Sequence, residues 1–235
     1  MARFARVALI AAAALASVGF LALAGWQVQR LGWKLDLIER VEARIKAEPV
    51  APPAWNAPVG KDDEYRRLHL QGRFEPREVL VQATTELGGG HWVIAPLRLD
   101  DGSVVLVNRG FVPPEQRAPE AHAAPTGTVE LVGLLRLTEP GGGPLRANVP
   151  TEGRWYSRDV AGIAAQLGVL DRVASYFVDE SADPTQPLRY PRPGLTVVRF
   201  ANNHAVYAAT WLALAAMAAA AVFYLVREER RRVPR

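Results

Sequence analysis

Two long apolar runs, one near each end, dominate the pattern of hydrophobic and polar positions along this chain. The first extends from Val7 to Trp26, and the second extends from Ala205 to Val226 without a charged residue. A helix rises about 1.5 Å per residue, so each run would cover roughly the 30 Å hydrocarbon thickness of a bilayer. The pattern predicts an integral membrane protein with transmembrane helices at residues 7–26 and 204–226.

A helical pattern continues beyond the first run, but it becomes amphipathic. Apolar residues recur at spacings of three and four among charged ones, at Leu31, Leu35, Ile38, Val41 and Ile45. This spacing is typical of one apolar helix face, so we expect the helix to run on, or to restart, as a stalk to about Ala47. Four prolines between Pro49 and Pro58 would end it. We therefore assign residues 27–58 to an amphipathic stalk and a proline-rich linker.

Between the two runs, residues 59–203 show mainly the alternation expected of β-strands. The clearest signal is a hairpin with strands at Trp92–Leu99 and Val104–Asn108, joined by the turn Asp100-Asp101-Gly102. Further strands are predicted around Leu68–Leu70 and Val79–Val81, at Thr128–Leu137, at Ala174–Asp179 and, last, at Val197–Phe200. Gly141–Gly143 is expected to be a loop, and the proline-rich residues 183–194 an irregular connector.

One helix is predicted inside this mostly β region. Ser157 is a plausible N-cap, and Gly168 stands where the helix would end. The apolar face between them would consist of Val160, Ile163, Ala164 and Leu167. The fold class is therefore α+β, with two transmembrane helices flanking a mostly β extracytoplasmic domain.

The positive charges are concentrated in the two tails. Arg3 and Arg6 precede the first run, and five arginines follow the second, in residues 227–235. Cytoplasmic flanks of membrane helices carry such an excess, so residues 1–6 and 227–235 are expected in the cytoplasm and the central domain outside it. Without these tails the chain is close to neutral. A nucleic-acid partner is therefore not expected.

The first apolar run also resembles a secretory signal, because Ala22-Leu23-Ala24 precedes Gly25. A signal core usually has about 7 to 15 residues, so we expect an uncleaved anchor, with a removed signal as the alternative. The residues before Val7 lack the Arg- and Ser-rich composition of a mitochondrial presequence. We therefore predict a multi-pass protein of the bacterial cell inner membrane whose central domain is periplasmic.

Composition excludes several kinds of chemistry. The chain has no cysteine, which excludes disulfides, thiolate metal sites, iron–sulfur ligation and covalent haem attachment through cysteines. The sequence contains none of the nucleophile, zinc-hydrolase or phosphate-loop motifs that indicate an enzyme. We therefore expect a protein without catalytic activity.

His204 and Arg109 are the most informative polar residues. His204 opens the second apolar run, with Tyr207 and Trp211 three and seven residues later on the same helix face. It is either a headgroup-level polar residue or, because a helix N-terminus disfavours the imidazolium form, a neutral metal ligand. Arg109 either binds a carboxylate through its guanidinium or lies at a strand end and forms a surface ion pair. We expect the histidines at 69, 91 and 122 to be ordinary surface or loop residues.

Five blocks, in order, resemble the surfeit locus protein 1 family of cytochrome c oxidase assembly factors. The blocks are Gly25–Lys34, Tyr65-Arg66-Arg67 with Gly72-x-Phe74, Gly90–Leu97, Val105–Pro113 and Asn202–Trp211. Together they extend over nearly the whole chain. One departure is Phe111, where tryptophan is commoner in the family.

The resemblance implies a membrane-bound assembly factor for a haem-copper terminal oxidase. Members of the family help haem a reach the large haem-bearing oxidase subunit. That subunit is then the expected partner, with haem a synthase as a further candidate and haem a bound as cargo. The residue matching the family's candidate axial ligand is His204, and Trp211 matches a tryptophan implicated near it. Tyr207 would belong to the same site, and Arg109 or Arg30 would pair with the haem propionates.

Two other functions stay open at the level of sequence. One is a membrane-tethered scaffold that stabilises an oxidase assembly intermediate without carrying haem. The other is an extracytoplasmic hydrolase or sensor domain on two anchors. The second is disfavoured because the central region has no nucleophile motif and the tails are too short for a signalling domain.

Overall fold

The computed structural model describes residues 2–143, 146–185, 187–196, 198 and 200–232. The chain divides into two compact units, one made of Met1–Arg40 with Arg199–Arg235 and the other of Val41–Val198. The first is helical and the second is built on a β-sheet.

The helical unit is built from α3 (His204–Arg232) and from α1 (Ala2–Lys46), whose last six residues belong to the second unit. Both helices are long and apolar enough to cross a membrane. The first predicted span and the stalk belong to one continuous helix, since α1 has no break between Trp26 and Gln27.

The contacts between α1 and α3 run in opposite order along the two helices, so the pair is antiparallel. Gln27 contacts His204, Phe20 stacks on Trp211, Ser17 bonds to Ala215, and Arg6 pairs with Glu229. Small buried residues lie along the same line, at Ala24, Ala208 and Ala215. Small side chains let two helix backbones approach closely, as helix pairs in lipid require. We call this line of contacts the helix seam.

In its described residues, the second unit contains eight strands and the short helix α2 (Val160–Leu167). The strands are β1 (Arg67–Phe74), β2 (Val79–Thr85), β3 (Gly88–Leu99), β4 (Val104–Val112), β5 (Val129–Leu137), β6 (Gly142–Gly143), β7 (Arg146–Ala147) and β8 (Val173–Glu180). Six of them form one sheet in the order β1-β5-β8-β4-β3-β2. A further pairing of β1 with β3 makes the sheet barrel-like.

Closure depends on the length and bend of β3. Its first half pairs with β2, and its last residues pair with β1 at Gly72↔Leu99. The register shifts between Trp92 and Ile94, as at a β-bulge, which bends a strand. A Cβ at Gly72 would lie 2.3 Å from the Arg98 carbonyl oxygen. Glycine at 72 therefore permits the approach of β1 to β3.

β4 is buried along its whole length because both of its faces are covered. Val105 and Val107 belong to a core with Leu68, Leu97 and Tyr176, whereas Val104 and Leu106 belong to a second core with α2 and Trp155. The pairing of β4 with β8 is parallel, and its pairing with β3 is antiparallel. The hairpin predicted from the Asp-Gly turn is this β3–β4 pair. β3 begins four residues before the predicted start at Trp92, and β4 ends four residues after the predicted end at Asn108.

Three local predictions need correction. The N-cap of α2 is Asp159, whose side chain accepts a hydrogen bond from Gly162 N, whereas the Ser157 hydroxyl bonds to the Glu139 carbonyl. Gly142 and Gly143 are not loop but pair with Arg146 and Ala147, outside the main sheet. The third concerns the last predicted strand, Val197–Phe200.

The predicted proline-rich linker around residues 49–58 packs on the sheet. Val50 pairs with Leu68, Trp55 and Val59 pack against the core, and the Tyr176 hydroxyl donates to the Pro53 carbonyl at 3.0 Å. Of the last predicted strand, Val197 and Arg199 lie outside the described residues, and Val198 and Phe200 are not in a strand.

Asp179, near the end of β8, is a buried anion that connects several elements. It is 2% exposed and accepts hydrogen bonds from Asn108, Arg136, Arg158 and Thr196 at 2.8 to 3.3 Å. Two guanidinium groups and two neutral donors thus compensate one buried carboxylate. Burial of an anion is tolerated only with such compensation.

We expect Asp179→Ala to destabilise the protein by about 3 kcal/mol, because Arg136 and Arg158 would lose their buried counter-charge and keep only the more exposed Glu64 and Glu139. Thermal unfolding of the full-length protein in detergent, followed by tryptophan fluorescence, measures the change. Glu130→Ala is the matched control, since its carboxylate is exposed and, among the described residues, pairs only with the exposed His69. Equal melting temperatures for the two variants would contradict the assignment.

Candidate ligand site at the start of the second apolar helix

His204 is the first residue of α3. The carbonyl oxygen of Asn203 accepts a hydrogen bond from Tyr207 N at 3.1 Å, so Asn203 occupies the N-cap position. The imidazole is half-buried. The side-chain oxygen of Asn202, in the same segment, is buried and has no hydrogen-bond partner among the described residues. The segment that leads into α3 therefore contains a buried amide oxygen without a hydrogen-bond partner among the described residues.

One ring nitrogen of His204 is engaged and the other is free. Nδ1 lies 2.8 Å from the amide oxygen of Gln27 in α1. An amide oxygen can only accept, so Nδ1 carries the proton and donates. In a neutral ring Nε2 then holds a lone pair, and no described residue bonds to it. A neutral imidazole with one free nitrogen is the form that binds a metal ion.

The residues around His204 separate into a packed face and an exposed face of α3. Ala208, Trp211 and Ala215 follow His204 at helical spacing and face α1. The Trp211 ring stacks on Phe20, with 5.6 Å between the ring centroids and 22° between the planes. Tyr207 is 54% exposed. Trp211 is therefore fixed by packing, whereas Tyr207 remains accessible to a ligand or to lipid.

Arg30 provides a cation on α1, one turn beyond Gln27. Its guanidinium carbon lies 6.0 Å from the Trp26 ring centroid and 5.1 Å from that of Trp33. It makes no hydrogen bond or ion pair with any residue that the structure describes. Stacking on tryptophan holds the guanidinium in place while its N–H groups stay available to an anion.

Arg109 has a different environment in the second unit. It is 1% exposed, and it donates to the carbonyl oxygens of His122 and Ala123 at 3.0 Å each. The Glu78 carboxylate lies 3.6 Å away. Burial lowers the pKa of the Arg109 guanidinium, while the negative charges of Glu78 and Glu180 act in the opposite direction. The interpretation of Arg109 as a strand end with a surface ion pair is therefore wrong.

The block Asn108-Arg109-Gly110 acts as a structural junction. Asn108 donates to Asp179 and accepts from Gly110 N. Gly110 has φ +125°, and a Cβ there would lie 2.3 Å from the Arg192 backbone. Phe111 and Arg192 exchange backbone hydrogen bonds at 2.9 and 2.7 Å. The block thus joins β4 to β8, to the loop at 122–123 and to the segment at 192.

The three remaining histidines lie in the second unit. His122 is 2% exposed rather than on the surface; its Nδ1 donates to the Gln116 carbonyl, and its Nε2 lies 2.7 Å from Glu78. Both of its nitrogens are occupied. His69 is exposed near Glu130, as expected. His91 is half-buried, and burial, followed by the charge of Arg117, lowers its pKa. The described residues contain no cluster of three or more metal-ligating side chains.

The structure thus separates the residues singled out in the sequence. His204, Tyr207 and Trp211 lie on α3 in the helical unit, and Arg109 lies in the β-sheet unit. Sequence reasoning missed Gln27 and Phe20 as contacts of this site. The available signal was a polar residue, Gln27, directly after an apolar run.

Comparison with known proteins gives one consistent family. A family model described as the SURF1 family matches residues 14–216. Surfeit locus protein 1 of Rattus norvegicus is 36% identical over 213 residues, which cover 83% of this chain and 68% of that protein. The Homo sapiens protein of the same name is 34% identical over 216 residues, covering 83% and 69%. A SURF1-like protein of Monosiga brevicollis is 34% identical over 221 residues, covering 88% and 83%.

We expect Arg109→Ala to lower the free energy of unfolding by about 3 kcal/mol, because two buried carbonyls lose their donor and Glu78 loses a counter-charge. Thermal unfolding of the full-length protein checks this. Arg73→Ala is a suitable control, since Arg73 is an exposed strand residue that bonds only to Thr128. An Arg109→Ala protein as stable as this control would show that the guanidinium does not support the fold.

Proposed function

Because the chain belongs to the SURF1 family, we propose that it is a membrane-bound assembly factor for a haem-copper terminal oxidase. In this proposal it binds haem a as cargo and assists its insertion into the large haem-bearing oxidase subunit. The observation that carries the proposal is the free Nε2 of His204 at the start of an apolar helix.

The membrane part of the proposal rests on the helical unit. Both helices have the length and composition of a span, and Arg6 pairs with Glu229, so the two ends of the chain lie at the same end of the helix pair. The arginines at that end favour the cytoplasm. We propose the bacterial inner membrane, with both termini cytoplasmic and the sheet unit periplasmic.

The residues around His204 suit a haem. A neutral imidazole nitrogen is the commonest protein ligand of haem iron, and Nε2 is available for this bond. Tyr207 and Trp211 place aromatic surface on the same helix. The apolar flanks of α1 and α3 would accommodate the long hydrocarbon tail of haem a. We therefore propose His204 as the iron ligand, with Tyr207 and Trp211 as neighbouring contacts.

For the propionates we propose Arg30 and no longer Arg109. Arg30 lies on the helix that carries Gln27, about 4.5 Å further along the axis, and its N–H groups are unpaired among the described residues. Arg109 could reach a propionate only by giving up two buried carbonyls. An exposed, stacked guanidinium is also well suited to bind a carboxylate through two N–H groups.

The chain would act by binding and release rather than by catalysis. Only the bond between the iron and its protein ligand would form and break during transfer, and the macrocycle would stay unchanged, so the protein has to supply only a ligand, an apolar surface and contacts with the acceptor. The large oxidase subunit is the proposed acceptor, and haem a synthase is a further candidate partner as the donor. A scaffold that carries no haem is the alternative outcome of the first test below.

We expect His204→Ala to abolish the haem a absorption band that copurifies with the protein from cells that make haem a, because the iron loses its ligand. The absorption spectrum per mole of purified full-length protein measures this. His69→Ala is the matched control, since His69 is an exposed histidine in the sheet unit. Equal haem content in wild type and His204→Ala would remove the ligand role, whereas wild-type protein that copurifies with no haem a would favour the scaffold.

Labelling of single cysteines tests the orientation, and the natural absence of cysteine makes it direct. We expect Leu87→Cys, at an exposed position between β2 and β3, to react with a membrane-impermeant maleimide in intact spheroplasts. Arg231→Cys, near the end of α3, should react only after the membrane is permeabilised. The reverse pattern would contradict the proposed topology.

A further inference from the structure

We propose that Gln27 is a positioning residue that fixes both the tautomer and the direction of the His204 imidazole. The hydrogen bond between the Gln27 amide oxygen and Nδ1 holds the proton on Nδ1 and presents Nε2 as the donor atom. This inference rests on the proposed function, because it assigns the residue that prepares His204 for its ligand.

The burial of Gln27 supports a specific role for its amide. It is 8% exposed, although the neighbouring Trp26, Val28 and Gln29 on the same helix are exposed. A buried amide is costly unless it is hydrogen-bonded. In an apolar helix pair, a glutamine turned inward thus needs a partner, and the partner that it contacts is the imidazole 177 positions away in the chain.

Two further contacts of the helix seam also fix the pairing of Gln27 with His204. Phe20 stacks on Trp211, and the Ser17 hydroxyl donates to the Ala215 carbonyl at 3.1 Å. Both contacts lie on the same side of the helices as Gln27 and His204. A shift of one helix turn, about 5.4 Å, would break all three contacts together. The position of the imidazole is therefore set by the register of α1 against α3.

The chemical nature of the acceptor suits a carrier. Metal-bound histidines usually donate their second N–H to a carboxylate, a carbonyl or water, and a carboxylate makes the imidazole a stronger donor. Gln27 offers a neutral oxygen instead. The bond orients the ring without adding charge, so the iron–nitrogen bond stays weaker than with a carboxylate partner. A protein that must release its haem benefits from such a ligand.

Two substitutions of Gln27 separate positioning from packing. We expect Gln27→Leu, which removes the acceptor, to weaken haem a binding by about 10- to 100-fold and to raise the midpoint potential of the bound haem. Gln27→Glu keeps an oxygen at the same place, so it should retain haem and lower the midpoint potential. Gln29→Leu, on the exposed side of α1, is the matched control and should change neither quantity.

The measurements are haem a titrations and redox titrations of the full-length protein in detergent. Opposite shifts of the potential in the Leu and Glu variants support the inference, because a side chain that only fills space would not produce them. Wild-type affinity and potential in both variants, together with haem loss in His204→Ala, would overturn this inference alone. Full haem retention in His204→Ala would overturn the proposed ligand instead.

Discussion

The fold of the second unit depends on the burial of β4 on both of its faces. A strand in this position cannot use the usual alternation of apolar and polar residues, and all nine residues from Val104 to Val112 are buried. Every polar group on it must then be satisfied inside the protein. This requirement determines the partners of Asn108 and Arg109, and through them the positions of β8, the loop at 122–123 and the segment at 192.

Sequence reasoning recovered the parts of this arrangement that are encoded locally. The hairpin from β3 to β4 follows from an Asp-Gly turn between apolar runs, and the apolar face of α2 follows from its 3.6-residue period. It failed where the partner is distant in the chain. Ser157 was a reasonable cap by type, but Glu139 occupies its hydroxyl, and Asp159 caps the helix. Arg109 was expected at the surface because its acceptors, at the end of a short 3-10 helix (Pro119–His122), have no recognisable sequence pattern.

The same limit applies to the helical unit. Composition was enough to predict two spans, since an apolar run of about 20 residues is a strong signal. The composition of the two runs does not reveal the antiparallel register, because Ala, Leu and Val are compatible with every face of an apolar helix. The contacts that set the register are few and polar or aromatic: Ser17, Phe20 and Gln27 on α1. For this reason His204 could be singled out from the sequence while its partner could not.

The polar residues discussed above differ in how completely the fold satisfies them, and this difference separates residues that support the fold from those open to a ligand. In the sheet unit, Asp179, Arg109 and His122 are saturated by groups of the same unit. In the helical unit, His204 Nε2 and the Arg30 guanidinium have no such partners among the described residues. A protein that binds a ligand needs polar groups that its own fold leaves without partners. On this criterion the groups that remain available to a ligand, among those compared, lie on α1 and α3.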